Sequence, residues 1–397
     1  MPARRLIILL CLTGATTTVS IGAFPALLPE IGSAAALADW QLGAVAGAFG
    51  LARMLTNVPA GLFITHHLTR ALVLSPGLVL AGALLLATGG GFAALVLGRA
   101  LMGLGHTLCM LGNLTAILRD RAGPGLASSL NAVEFSAMLG VLSGATLLSL
   151  LPRAVPWNAA LLLSCAPMVA NLFLLPALRR ALPSSAQDGP RPFFARSQTA
   201  AGATESADPP ARRGGWLAVL AVAAGAAIAV SYSTVEQFVI PLRGSREFGL
   251  DRAGIARLLM LAQVVDVATL LPLGALADRR GPSVVLGSIL LVFAAALGLI
   301  GFGSLPLLAA GSVLYGVSMA GWMLPVTILR SVTPPARVAW RTALYRVSVD
   351  GGMFAGPFVS GLLAARHAGV LPGVMLVILA LVGLALVLRP RRPAPAR

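Results

Sequence analysis

The chain is a succession of apolar segments, each long enough to cross a bilayer and separated by short polar turns. No other feature narrows its fold as far. Twelve such segments can be drawn, at about 6–28, 42–63, 72–91, 93–117, 126–151, 157–178, 216–240, 253–276, 283–303, 306–329, 343–365 and 370–388. Each approaches the ~20 residues a helix needs to span ~30 Å of hydrocarbon. Backbone amides and carbonyls in lipid must be bonded within their own segment, so helices are the default, and the alternation of a barrel strand is absent. Only 11% of residues are charged and 57% are hydrophobic, against about 25% charged in a soluble domain. The expected fold class is an all-α membrane protein with twelve transmembrane helices.

The segments repeat. Gly61-Leu-Phe-Ile-Thr65-His66-His67-Leu-Thr-Arg70 in the first half has its counterpart in Gly274-Ala-Leu-Ala-Asp278-Arg279-Arg280-Gly281-Pro282 in the second. The offset from Gly61 to Gly274 also carries Gly98 onto Gly311, Gly103 onto Gly316 and Met110-Leu111 onto Met323-Leu324. A duplicated half of this size is the signature of parallel repeats in a transporter.

The Gly274–Pro282 stretch reads as a charged turn between two apolar segments. It resembles the signature loop of the major facilitator superfamily, roughly G-x-x-x-D-R-x-G-R/P, through Gly274, Asp278, Arg279, Gly281 and Pro282. The resemblance implies two pseudo-symmetric six-helix bundles, 1–178 and 216–397, that alternate access to a cavity lined by spans 1, 4, 7 and 10. The first copy departs from the pattern, with Thr65 at the Asp position and His66 at the Arg position. Residues 179–215 are rich in Pro, Gly, Ser and Ala, too poor in apolar surface to fold alone, and are expected to be a cytoplasmic linker.

A net charge of +16 in a soluble protein would suggest nucleic acid. Here the arginines (there is no lysine) lie in the turns, which points to membrane orientation instead. With the N-terminus inside, 20 arginines fall on the cytoplasmic side and 6 outside, so both termini are expected in the cytoplasm. The turn after the seventh span, with Arg243, Arg246, Arg252 and Arg257, is the one locally basic external region. Arg4-Arg5 ahead of the first apolar run resembles a signal peptide, but with eleven more segments behind it an uncleaved first span is expected. The three cysteines lie in apolar runs and form no CxxC or disulfide framework.

Charge inside a span is costly and marks a functional candidate. Seven residues qualify: Arg53, Arg99, Glu134, Glu236, Asp266, Arg346 and Asp350. Arg99-x-x-x-Gly103-x-Gly105 resembles the fourth-span motif of proton-coupled members, with Met102 where Gln is common; the resemblance places Arg99 at the cavity, and packing against backbone carbonyls is the other reading. Glu134 and Glu236 are proton-coupling candidates or fixed partners for Arg99 or Arg346, and Asp266 is a further coupling candidate. Arg53 and Asp266 are related by the same repeat offset. Tyr345-Arg346-x-x-x-Asp350-Gly-Gly352-x-x-x-Gly356-Pro357 resembles the eleventh-span pattern of efflux members, and spans 2 and 11 meet in that fold. Arg53 with Asp350 is therefore either an inter-bundle gate, beside Arg346, or a permanent structural pair.

Phe24, Arg99, Met102, His106, Tyr232, Glu236, Tyr315 and Trp322 form the expected substrate cavity. Met102, His106 and Met110 recur at helical spacing beside Cys109, with Met319 and Met323 in the equivalent span. Such soft donors suit Cu(I), but methionine is also a common filler of apolar cavities. No phosphate-binding loop, nucleophile triad or closed metal site is visible, so neither an enzyme nor a bound cofactor is expected.

The expected function is proton-coupled efflux of small, largely apolar compounds by a monomer in a bacterial inner membrane. Uptake of a small organic anion onto Arg99 is the alternative. A copper importer and a non-transporting membrane sensor or assembly factor stand behind both.

Overall fold

The computed structural model describes residues 2–120, 126–182, 211–334, 337–364 and 369–388. Most of the expected linker, with Arg121, Arg366 and the C-terminal arginines, lies outside them. The regular structure of the described residues is helical. The first half holds α1 (Pro2–Ala34), α2 (Asp39–Ala87), α3 (Phe92–Asp120), α4 (Leu126–Leu150) and α5 (Trp157–Ala181). The second holds α6 (Ala211–Thr234), a π-helical turn (Val235–Val239), α7 (Ile240–Arg246), α8 (Arg252–Arg280), α9 (Pro282–Phe302), α10 (Leu305–Met319), α11 (Leu324–Ser331), α12 (Val338–Ala364) and α13 (Val370–Val387). Eleven helical stretches among the described residues are long and apolar enough to cross a membrane.

Eleven stretches make twelve crossings because α2 doubles back. Gly103 of α3 lies against the Phe49 backbone, and Gly105, two residues on, lies against Ser75 and Val79. A straight helix would hold Phe49 and Ser75 about 39 Å apart. The reversal falls at His67, whose φ of −135° and ψ of 49° are not helical. The segments expected at 42–63 and 72–91 are thus the two limbs of α2.

The expected charged loops are mostly helix, and both readings are corrected. Gly61–Arg70 is helical apart from His67, and Gly274 to Arg280, including Asp278 and Arg279, form the end of α8. The second copy has a clean break because Gly281 sits at φ 90°, a region that favours glycine. Pro282 then opens α9, where its missing N–H costs nothing. The first copy has Leu68 and Thr69 at these positions and keeps its helix nearly unbroken. Arg119 of α3 supports the reversal by donating to the Ile64 and Thr65 carbonyls at 3.5 and 2.8 Å.

The sequence repeat is also a packing repeat. Gly103 meets the Phe49 carbonyl and Gly316 the Ala262 carbonyl, and both members of each pair obey the repeat offset. Gly98 against Leu86 corresponds in the same way to Gly311 against Leu299. Lipid supplies no hydrophobic drive for helix association, so close backbone approach at small residues carries much of the packing.

The halves meet chiefly where α2 packs on α12 and α4 on α8. Gly43, Gly47 and Gly50 bring α2 onto the α12 backbone at Pro357, Phe354 and Met353. A Gly281→Ala variant should lose about 1–3 kcal/mol of stability, the cost of forcing a side chain into this backbone region. Thermal unfolding of the detergent-purified protein measures it, and an unchanged midpoint would contradict this account of the break.

Candidate functional site

The strongest backbone irregularity coincides with a buried carboxylate. Pro241 has no N–H to offer the Gln237 carbonyl and its ring crowds that oxygen. The helix accommodates it with a wide turn in which Ile240 N–H bonds Val235 O, five residues back. Glu236 sits in this π turn with 3% of its surface exposed. Such turns are frequent at functional sites. Tyr315 on α10 donates to Glu236 Oε2 at 2.8 Å, and Tyr232 to Oε1 at 3.4 Å. Trp322 meets the Tyr232 ring at 5.6 Å from the segment 320–323, where the expected tenth span breaks into α10 and α11. The spans expected at 216–240 and 306–329 are present as Gly215–Arg246 and Leu305–Ser331, the first carrying a π turn and the second a break at 320–323.

Arg99 comes to the same region from α3. It is 1% exposed, with its guanidinium 3.7 Å from the Phe24 ring centre and 4.7 Å from that of Phe49. Nη2 donates to Gln237 Oε1 at 3.4 Å, while Nε and Nη1 are buried with no acceptor. Neither Glu134 nor Glu236 pairs with it, so the fixed-partner reading for Arg99 is not what the structure forms. Phe24, Met102 and Tyr315 are almost fully covered, as packing around these charges and not open cavity wall. His106 is buried against Phe49, with Nδ1 unpartnered.

The copper constellation is dispersed into other contacts. Met102 packs under Gly82, and Cys109 Sγ accepts from Thr17 Oγ1 at 3.3 Å. Met110 is half-buried, and Met323 is exposed.

A second charged cluster lies between the halves. Arg53 Nε and Nη2 each reach Asp350 Oδ1 at 2.9 Å, and Asn57, one turn beyond Arg53, bonds Oδ2. The Asp350 side chain is 4% exposed. Arg346 and Glu134 differ from the expectation of buried charges: both are exposed, and neither is in an ion pair among the described residues. Charged side chains do not face lipid unpaired, so this end of the interface is open to water. Asp266, the repeat counterpart of Arg53, has Oδ1 buried without a partner.

The other end is closed. Arg153 pairs with Asp251, Arg246 with Asp39 at 2.7 Å, and Arg252 with Glu30 at 3.2 Å, each joining one half to the other. Arg252 also donates to the Pro152 and Val155 carbonyls at 3.0 Å. A pocket of about 580 Å³ lies among them, lined by Glu30, Arg153 and Arg246; neither Glu236 nor Arg99 lines it. The Gly254 amide, more than Arg153, holds the Asp251 carboxyl below its ordinary value of 3.8.

Sequence reasoning missed Gln237, Phe49, Asn57 and the closed-end pairs. Asn57 follows Arg53 at i+4 and was legible as its neighbour on one helix face. The others lie far along the chain from the residues they contact.

Asp350→Asn leaves Arg53 without its counter-charge and should cost about 3–5 kcal/mol, as removal of one partner of a buried pair does. Arg153→Ala, at a side chain 83% exposed, should cost under about 1 kcal/mol. Thermal unfolding of both variants measures the contrast. Because its carboxyl is lowered, Asp251 contributes above its ordinary value and loses that contribution only as pH falls through the lowered one. The distance between labels at Ser33→Cys and Ser245→Cys should therefore be unaffected by Asp251 titration from about pH 8 to about pH 5. A lengthening over that range that Asp251→Asn abolishes would contradict it.

Residues 233–397 match the sequence model of the Major Facilitator Superfamily. No curated protein matches the chain. Among solved structures, a POT family transporter in complex with a thioalcohol-conjugated peptide superposes with a TM-score of 0.78 at 13% identity, over 96% of this chain and 95% of that one. A point mutant of the nucleoside transporter NupG gives 0.73 at 14%, over 96% and 98%. A bacterial homolog to the human lysosomal transporter Spinster, inward-facing and unoccupied, gives 0.71 at 15%, over 98% and 94%. The chain has the major facilitator superfamily fold, and its second half carries that family's sequence pattern.

Proposed function

We infer that the protein is a secondary active transporter that works by alternating access, coupled to protons, and exports small, largely apolar organic compounds. The observation that carries this reading is the asymmetry of the interface between the halves. Three cross-half ion pairs and a glycine-faced α2–α12 contact close one end, while charged Glu134 and Arg346 stand exposed at the other. On the arginine count the closed end faces outward and both termini lie in the cytoplasm of a bacterial inner membrane.

Rocking the halves must break the closed-end pairs and bring the open end together. Arg53, Asn57 and Asp350 form a cross-half contact that the motion must remake or carry through intact. Arg346 and Glu134 lie within electrostatic reach of each other and of Arg53, ready to close the open end as it narrows. Glu236 is the proton site best placed to bias this exchange: it lies in the π turn of span 7, bonded to Tyr315 of span 10, and is in no ion pair among the described residues. Tyr232 and Tyr315 can donate to its carboxylate, or one can accept from the protonated acid. Asp266 and Glu134 relay or tune that charge from the α4–α8 contact. Gly274, Asp278, Arg279 and Gly281, at the end of α8, form the conformational joint into α9 in this reading.

The half-buried rings of Tyr232 and Trp322, backed by the covered Phe24 and Tyr315, favour a largely apolar cargo. One observation favours the second reading, uptake of a small organic anion: Arg99 is buried with two nitrogens lacking acceptors. The monomer, with its glycine-mediated interface between halves, is the expected working unit.

Proteoliposomes loaded with a pH-sensitive dye test both readings. Proton movement opposed to an added lipophilic compound, lost in Glu236→Gln, is the expected result. Movement in the same direction as an organic acid, lost in Arg99→Gln, would replace export by uptake. No proton response to any compound, with Glu236→Gln indistinguishable from the parent, would overturn the proton-coupled reading.

A further inference from the structure

The pocket at the closed end is built by both halves and has no part in the exchange described above. Residues between Ala26 and Leu42, with Leu151 and Arg153, wall it from the first half, and residues between Leu242 and Ile255 wall it from the second. Its apolar part comes from Leu42, Leu242 and Ile255, which are buried, and from half-buried Leu250. Its volume of about 580 Å³ falls within the ~300–1,000 Å³ of small-molecule sites.

Three arginines line the pocket against two carboxylates, Glu30 and Asp251; Asp39, the partner of Arg246, stands outside the lining. Arg252 is the fixed one. It is 5% exposed, with Nη1 given to Glu30 and Nη2 to the Pro152 and Val155 carbonyls. Arg153 and Arg246 are the available ones, both exposed side chains on the rim. Arg153 gives only Nε to Asp251, and Arg246 only Nη2 to Asp39, so most of each guanidinium fork has no acceptor among the described residues. Asp251 keeps its bond from the Gly254 amide, at 2.9 Å, even when Arg153 turns away. An exposed ion pair contributes under about 1 kcal/mol, so Arg153 can exchange Asp251 for a ligand acid at little cost. A guanidinium takes such an acid through two parallel N–H bonds.

We propose that the closed-end pocket binds an amphipathic organic anion, a dicarboxylate on an apolar body, through Arg153 of the first half and Arg246 of the second. The walls stay together only while this end is shut, so the ligand binds that arrangement and not the one in which the halves have parted. Differential affinity of this kind shifts the equilibrium. The anion is a regulator and not cargo: it holds the protein with its other end open. The locking rests on the alternating-access reading, and the site itself does not.

Calorimetry on the full-length protein in detergent tests the site with terephthalate, which should bind at millimolar concentration or below. Benzoate, with the same ring and one acid group, should bind at least about tenfold more weakly, ~1.4 kcal/mol. Arg153→Ala should weaken terephthalate by a similar factor, and Arg153→Lys, which keeps the charge and loses the fork, should recover only part of it. No binding of terephthalate, binding unchanged when Arg153→Ala and Arg246→Gln are combined, or binding lost in Arg99→Gln instead would overturn the proposal. Spin labels at Leu62→Cys and Trp340→Cys, at the open end, read the locking away from the pocket. In an Asp39→Asn background, which weakens the closed end, terephthalate should return a larger fraction of molecules to the longer distance. Binding without that change would overturn the locking. If Asp39→Asn alone leaves the distance unaltered, the alternating-access reading fails, and the calorimetry still decides the site.

Discussion

Close backbone approach at glycine is the contact on which the rest of this structure depends. In lipid, apolar side chains gain little by leaving their surroundings for one another, and tight van der Waals packing must hold helices together. Gly103 on Phe49 and Gly316 on Ala262 set the same helix spacing in each half. Gly43, Gly47 and Gly50 do the equivalent between the halves, against α12. Because these glycines lie toward the closed end of α2, they leave the opposite end of the α2–α12 seam to Arg53, Asn57 and Asp350. Packing fixes where polar contacts have to take over.

The polar contacts then divide by burial. The closed-end pairs are partly exposed, and Arg153 with Asp251 is worth little on its own. Arg53 with Asp350 is largely covered and holds its geometry with help from Asn57. Arg99 and Glu236 are deeper still, and each is stabilised by uncharged groups: two phenyl rings and an amide for one, two phenols for the other. Charge is thus weakest as a fastener where it is exposed and left uncompensated by opposite charge where it is deepest. That gradient fits a molecule whose ends open and close around a centre that binds.

The sequence was informative where a local pattern has a local physical cause. Apolar length shows the helices, and the constant offset between the two copies foretells equivalent glycine contacts in both halves. Burial of Arg99 and Glu236 follows from their places inside apolar segments, and the meeting of Arg53 with Asp350 was expected only through the family resemblance, which brings spans 2 and 11 together. The reversal at His67 falls in the gap between the apolar segments at 42–63 and 72–91, as expected, but as a kink in one helix and not a loop, while Gly281-Pro282 made its counterpart look like a loop when it is a helix end. The π turn at Glu236 was foreshadowed by Pro241 five residues on. What could not be read is which residues pair at the closed end: Arg246 with Asp39 and Arg252 with Glu30 depend on tertiary placement alone. The exposure of Glu134 and Arg346 depends on which end is open, a property of a state and not of a residue pattern.

The measurement that bears most directly on alternating access is a pair of distances taken on the same molecule. Spin labels at Ser33→Cys and Ser245→Cys report the closed end, and labels at Leu62→Cys and Trp340→Cys report the open end. Weakening the closed end with Asp39→Asn should lengthen the first distance and shorten the second in the same fraction of molecules. If the first distance lengthens while the second stays fixed, the halves do not rock as bodies, and the central claim is wrong.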